Sequence, residues 1–490
     1  MLRNVLGAYL DSINERQLDL PLMALLAAMG FTDIHYTHGH VEFGKDVIAK
    51  RVEDGATIQY SFQSKAGNIS YAEWRNVIQG QILESVLISL SHPNFATELP
   101  HQAVLLTTGD LRGNAGPEFQ SLNEKIERVF QHRPIVFWGR ENLIDLFERY
   151  SVTSIHPLTE AGLFNYAQFF LVYGRALSGE LSEREIEDYS RRWLNPALPR
   201  DQRLFQAAIE SAAVAAQCAA HGLSYEAITI HLSLLRAVLD SVYSDGEDTH
   251  LRELYAQGLK ELHRRSLAYI DEVEQQWRAS NDFIFTSTAM LTMTTYLVQC
   301  ARVMEVVALA YFSTDEEPVR QRLGTFLEAF IQQEPGCRRP LSDRYAISVI
   351  LAALVLCDRQ RAVTARGLIE QVAIWLFDRV EQGAGLAAFE ANEQEETQVL
   401  LGYMFDFIDL PQTGGSILAS ALCALAAFLG DRQLYADIVN DIAVYHIFPE
   451  YWQTDDTTGI CRIEGEDVWG FPNVRHAEDL TAFSADTFSD

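Results

Sequence analysis

The chain has 490 residues, 48% of them hydrophobic, which is enough to bury more than one core and excludes disorder over most of its length. Its 67 acidic residues against 38 Lys and Arg leave a net charge of −29, which excludes a generally basic, nucleic-acid-coating protein. Six cysteines without any CxxC pair exclude a disulfide framework and cysteine-bound zinc.

The first residues lack the basic start and long apolar run of a signal peptide, and no later stretch supplies about 18 uncharged apolar residues. A cytoplasmic protein without a membrane span is the expectation. The acidity is uneven. Residues 1–150 hold 13 basic and 18 acidic side chains, whereas the remainder holds 25 and 49.

In chain order, Leu20–Met29 reads as a helix, with Pro21 suited to a first turn and Gly30 as its stop. Strands are predicted at Asp33–Thr37, Asp46–Val52 and Thr57–Lys65, then a long helix at Tyr71–Leu90. A strand at Ala103–Thr108, a helix near Pro117–Phe130, a strand at Pro134–Trp138 and a helix at Glu141–Tyr150 follow. This order predicts an α/β domain with a mixed sheet over residues 1–150.

From Pro157 onward nearly every segment has helical periodicity: Leu163–Leu177, Phe205–His221, Tyr225–Val242, Leu251–Trp277, Phe283–Phe312, Val319–Ile331, Arg344–Leu356, Ala362–Phe377 and Ser416–Phe428. A large all-α domain over 157–450 is predicted. A helical-repeat solenoid is one form it could take, although no self-similar period is visible. Residues 451–490, rich in Asp, Thr, Phe and Trp, read as a C-terminal arm or cap.

The chemistry concentrates in one hairpin. The two strand-like runs Asp46–Val52 and Thr57–Lys65 meet at Asp54-Gly55, a strong two-residue turn signal. With those two residues central, opposite positions sum to 109 and Asp46 faces Gln63. Lys65 lies two residues further along the same face. Ile58, Tyr60 and Phe62 would pack on the core while Gln59, Ser61, Gln63 and Lys65 form a polar face. One carboxylate, one amide oxygen and one ammonium suit a divalent cation: Mg²⁺ (or Mn²⁺) accepts such oxygens and keeps waters. A bound ion activates water and neutralises phosphate charge, so phosphodiester hydrolysis is the fitting reaction.

The stretch from Gly30-Phe31-Thr32 through Glu42-Phe43-Gly44-Lys45-Asp46-Val47-Ile48 to Gln63-Ser64-Lys65 resembles the PD-(D/E)xK nuclease superfamily, in particular its Mrr-like restriction endonuclease branch, over about residues 15–110. The resemblance implies a restriction-endonuclease-like fold, Asp46 as metal-binding aspartate, Gln63 at the second motif position and Lys65 as the catalytic lysine. Lys45 stands where the motif has proline, and Gln63 where it commonly has an acid. Glu42 is a further metal ligand candidate and Glu15 an additional acid, as related nucleases supply. Each can instead be a surface glutamate, or in the case of Glu15 a first-turn helix charge. Mrr-like domains fused to large helical modules resemble effectors of prokaryotic antiviral defence. DNA is therefore the expected substrate, and a protein partner or homo-oligomer through the helical domain is expected too. The alternative is a non-catalytic scaffold that combines a decayed nuclease fold with an acidic partner-binding domain.

Other signals are weaker. Lys45, Lys50, Arg51 and Arg75, near Lys65, could form a basic strip for nucleic acid or an ordinary solvated face. Gln79 and Gln81 could touch phosphate or ligand water, or simply be exposed. His38 and His40, with His35 nearby, read as a solvated loop rather than zinc ligands. The Glu390–Glu396 acidic run reads as surface. No GxxxxGK followed by Ser or Thr is present, so no nucleotide hydrolysis is expected.

Overall fold

The computed structural model describes residues 2–37, 44–89, 92–155, 160–195, 199–245, 248–280, 291–388, 391, 395–400 and 415–449. Glu42, His38, His40 and the 451–490 arm lie outside these.

Two helices open the chain, α1 (Leu2–Ser12) and α2 (Glu15–Ala28). α2 starts ahead of the Leu20 predicted from Pro21, because Asn14 and Gln17 form a reciprocal capping box. Pro21 therefore falls inside the helix, where it cannot donate to the Gln17 carbonyl; the Tyr9 hydroxyl donates there instead, at 3.1 Å.

The strands are β1 (Thr32–Tyr36), β2 (Val47–Glu53), β3 (Ala56–Lys65), β4 (His101–Thr107) and β5 (Val136–Trp138). They form one sheet in the order β1-β2-β3-β4-β5, antiparallel through β3 and parallel from β3 to β5. The mixed sheet predicted from the sequence is present. Between β3 and β4 come α3 (Tyr71–Glu73), a π-helical turn (Trp74–Ile78) and α4 (Gln79–Leu87); α5 (Ala115–Arg128) joins β4 to β5, and α6 (Arg140–Ile155) follows.

Side chains alternate across the sheet. Val47, Ala49, Ile58, Tyr60, Phe62, Val104 and Leu106 enter one core with α1 and α2. Ala103 and Leu105 enter another with Trp74, Ile78, Ile82, Phe119 and Ile126. The first core does not stop near residue 150. It runs on through α7 (Glu160–Leu177), α8 (Glu183–Ser190), α9 (Arg200–Ala220), α10 (Ser224–Asp245) and the start of α11 (Thr249–Ala279). Phe147 of α6 packs on Phe205 of α9, with ring centroids 5.9 Å apart. The first compact unit is accordingly Met1–Leu262 rather than 1–150. The predicted break follows the change from strands to helices, but the apolar faces of those later helices belong to the same core as α2 and α6.

The second unit, from His263, contains helices Leu291–Phe312, Glu317–Gln333, Ala346–Asp358, Ala362–Glu381, Ile417–Phe428 and Arg432–Val444. Within it the buried Glu334 accepts from Trp277 Nε1 at 2.9 Å and the Tyr296 hydroxyl at 3.0 Å. Asp343 accepts from the Leu418 N–H and the Ser416 hydroxyl at the start of Ile417–Phe428. Glu396, expected on the surface, is buried and accepts from Ser342 and Tyr345. Among the described residues Thr295–Phe312 alone is long and apolar enough to cross a membrane, and 67% of it is buried within the fold. None of the five described cysteines forms a disulfide.

Candidate functional site

The hairpin has the predicted register. Val47 pairs with Phe62 and Glu53 with Ala56, around Asp54 and Gly55, which both adopt positive φ as the tight turn requires. At its open end the ladder gives way to side chains. The Asp46 N–H donates to the Phe62 carbonyl at 2.8 Å, and the Asp46 carbonyl accepts from Thr37 N at 3.0 Å. Asp46 Oδ2 accepts from the Ser64 N–H at 2.7 Å and its hydroxyl at 3.2 Å. The carboxylate thus takes the place of a strand carbonyl beside β3, and both bonds fall on one of its two oxygens. Burial pushes the Asp46 carboxyl above its ordinary range; the Ser64 N–H and the Lys65 charge pull the other way, while Glu15 adds to the rise.

Gln63 is 2% exposed. Its Nε2 donates to Gln81 Oε1 on α4 at 2.8 Å, and its own Oε1 has no partner among the described residues. A buried amide oxygen without a donor is costly, and this one is able to accept from a water or to ligate a cation. Gly44 makes this neighbourhood compact: at φ +66°, any side chain there would begin 2.1 Å from the Gln81 carbonyl oxygen.

Lys65 Nζ lies 3.2 Å from Glu15 Oε1, at the start of α2. The end of β3 is fixed by the loop after β4. Thr108 N donates to the Lys65 carbonyl at 3.1 Å, and Gly109 lies so close to the Gly67 backbone that a Cβ would sit 2.4 Å from it. One turn beyond Glu15, the buried Asp19 accepts from the Tyr36 hydroxyl at 2.8 Å. Burial raises the Asp19 carboxyl to about 7, with Asp46 and Glu15 contributing and the Tyr36 bond opposing.

Asp46, Lys65 and Glu15 are thus electrostatic neighbours, and Gln63 is held from α4. Asp19, Tyr36 and Ser64 join the group without having been predicted. The spacing of Glu15 and Asp19 by one helical turn is the available sequence signal for Asp19, and a helix expected to start at Leu20 conceals it. Among the described residues no three His, Cys, Asp or Glu side chains form a ready-made metal cage. An ion that needs few protein oxygens and retains water would draw on the Asp46 carboxylate and Gln63 Oε1.

The polar face expected on β3 is buried: Gln59, Ser61 and Gln63 are out of solvent, with Ser61 bonded to Ser85 (3.0 Å) and His101 (2.8 Å). One expectation, the basic strip, is corrected. Lys45 is fully buried, donating to the Ile88 carbonyl at 2.7 Å just past the end of α4, so it contributes nothing to a nucleic-acid strip. Burial lowers its ammonium to about 8. The rest of the strip is dispersed: Lys50 pairs with Asp33 at 2.8 Å, the neighbouring Arg51 covers the Phe31 ring, and the exposed Arg75 bonds Tyr71. His35 falls within the predicted strand. It is buried in β1, bonded to Glu253 of α11 and to Asn94.

Comparison with protein-family models, with characterised proteins and with solved structures yields no match to this chain.

Proposed function

We propose that the chain is a metal-dependent endonuclease, similar to the Mrr-like branch of the PD-(D/E)xK superfamily, that hydrolyses phosphodiester bonds in DNA. The observation that carries this reading is the buried Gln63 Oε1, without a partner among the described residues, on the strand whose next residue, Ser64, binds the Asp46 carboxylate and whose last, Lys65, supplies a cation.

Asp46 and Gln63 would hold Mg²⁺ or Mn²⁺, which when bound supplies an activated water and neutralises phosphate charge. Ser64 fixes the Asp46 carboxylate from the strand backbone. Lys65, held by Glu15, orients a water or stabilises the charge that develops on the phosphate, and Glu15 accepts the proton that the water gives up. Glu42, shortly before Asp46 in the sequence, is a further ligand in this proposal. An effector of prokaryotic antiviral defence, with the helical region binding a protein partner or a second copy, is the biological setting the resemblance suggests.

The experiment is cleavage of supercoiled plasmid DNA by the full chain with Mg²⁺, with Mn²⁺ and with EDTA, alongside a single-stranded RNA of equal length. Nicks or breaks that need the cation support the reading. A chain that binds neither cation and cuts neither substrate supports the scaffold alternative.

A further inference from the structure

The amide of Gln63 has two ends, and only the oxygen can bind a cation. Its nitrogen is taken by Gln81 Oε1 at 2.8 Å, and its oxygen is the end without a partner among the described residues. Resting on the metal reading, we propose that Gln81 is a positioning residue: by accepting from Gln63 Nε2 it selects the amide orientation that offers Oε1 to the ion.

The surroundings of Gln81 suit that task. It sits on the first turn of α4, just after the π-helical turn Trp74–Ile78, a wide turn of the kind that accommodates one extra residue and recurs at functional sites. Trp74, Ile78 and Ile82 are buried in the core on that face of the sheet, which fixes the helix. The Gln81 backbone is in turn met by Gly44, two residues before Asp46, at a separation no side chain would permit. One short segment of α4 therefore contacts both sides of the site: the turn that delivers Asp46, and the Gln63 amide on β3. Gln81 needs no contact with the ion to act. Partners that orient a metal ligand typically change metal affinity by about 10–100-fold when removed.

The test is Mn²⁺ affinity, read by calorimetry on the full chain, with far-UV circular dichroism and melting temperature as controls on folding. Gln81→Met removes the acceptor at similar volume and should weaken Mn²⁺ binding by about 10–100-fold. Gln81→Ala is the second variant should Met not be accommodated. Gln81→Glu can only accept from Gln63 Nε2 and should keep wild-type affinity or exceed it. A Gln63→Glu background separates orientation from mere packing, because a carboxylate presents oxygen at both ends. There Gln81→Met should change affinity by less than about twofold, as uncoupled sites do. Equal Mn²⁺ affinity in wild type and Gln81→Met, or the same loss in both backgrounds, would overturn the proposal while leaving the metal site standing. A wild-type chain that binds no Mn²⁺ would overturn the metal reading itself.

Discussion

Asp46 accepts the backbone N–H of Ser64 at 2.7 Å, so the acid that precedes β2 is hydrogen-bonded to the strand that carries both Gln63 and Lys65. A side chain replaces the last rung of the hairpin ladder. Its position is therefore set by strand pairing rather than by loop conformation, and the bond is charge-assisted. Asp46→Asn can keep an acceptor for Ser64 while losing the charge that would hold a cation. We expect a folded protein whose melting temperature lies close to wild type and no longer rises on adding Mn²⁺. A metal-dependent rise equal to wild type would remove Asp46 from the site.

Asp19 gives the fold a pH dependence of unusual sign. Its carboxyl is raised to about 7 in the folded chain, so just below that pH the folded state holds a proton that the unfolded state has released. The contribution is fully present below the unfolded value of about 4 and is lost as pH rises through about 7. Each tenfold difference in proton affinity between the folded and unfolded chain is worth roughly 1.4 kcal/mol. Asp19→Asn keeps an acceptor for Tyr36 and has no charge to bury. Measured by urea unfolding at pH 5 and pH 8, the variant should gain stability relative to wild type at pH 8, by on the order of a few kcal/mol. A difference that does not change between the two pH values would contradict this.

Lys45 and Arg75 should separate cleanly. The buried Lys45 donates to the Ile88 carbonyl past the end of α4, and Lys45→Ala should cost about 1–3 kcal/mol of stability through an unsatisfied carbonyl and lost packing. Its DNA affinity should match wild type. Arg75 is exposed, and Arg75→Ala should leave stability unchanged while lowering the salt slope of DNA binding by about one unit if it meets a phosphate. Fluorescence anisotropy with a short duplex at salt concentrations between about 50 and 200 mM reads both. Loss of DNA affinity in Lys45→Ala at full stability would restore the basic strip.

Truncation tests the revised boundary. A chain ending at Tyr150 would expose Phe147 and the faces of α1, α2 and α6 that share a core with α9. It should be aggregated or lack a cooperative melt, whereas a chain ending at Leu262 should melt cooperatively. A stable, monomeric 1–150 fragment would show that the sheet and its flanking helices fold independently.

The strands of the sheet and the hairpin register were legible because their signals are local: period-two alternation in β3, and Asp54-Gly55 at a turn where both residues adopt positive φ. The helical character of the chain after residue 157 was equally plain from its periodicity. What escaped depends on contacts distant in sequence. Nothing in the neighbourhood of Lys45 announces that its ammonium reaches the Ile88 carbonyl, and nothing near His35 announces Glu253, in a helix far along the chain. Asp19 and Tyr36 meet only because α2 begins at Glu15, which follows from a capping box formed by Asn14 and Gln17 rather than from the more conspicuous Pro21. The boundary at residue 150 failed for a related reason: a change of secondary structure marks a change of pattern, not the end of a core.

Single-turnover cleavage of an end-labelled DNA duplex by the full chain, titrated with Mg²⁺ and compared with Lys65→Met, tests the nuclease proposal most directly. Lys65 is tied to Glu15 and lies outside the pair of oxygens assigned to the ion, so the variant should still bind cation while cutting about 10²–10⁴-fold more slowly at saturating Mg²⁺. Cleavage at the wild-type rate by Lys65→Met, or cleavage by the wild type that persists in EDTA, would contradict it.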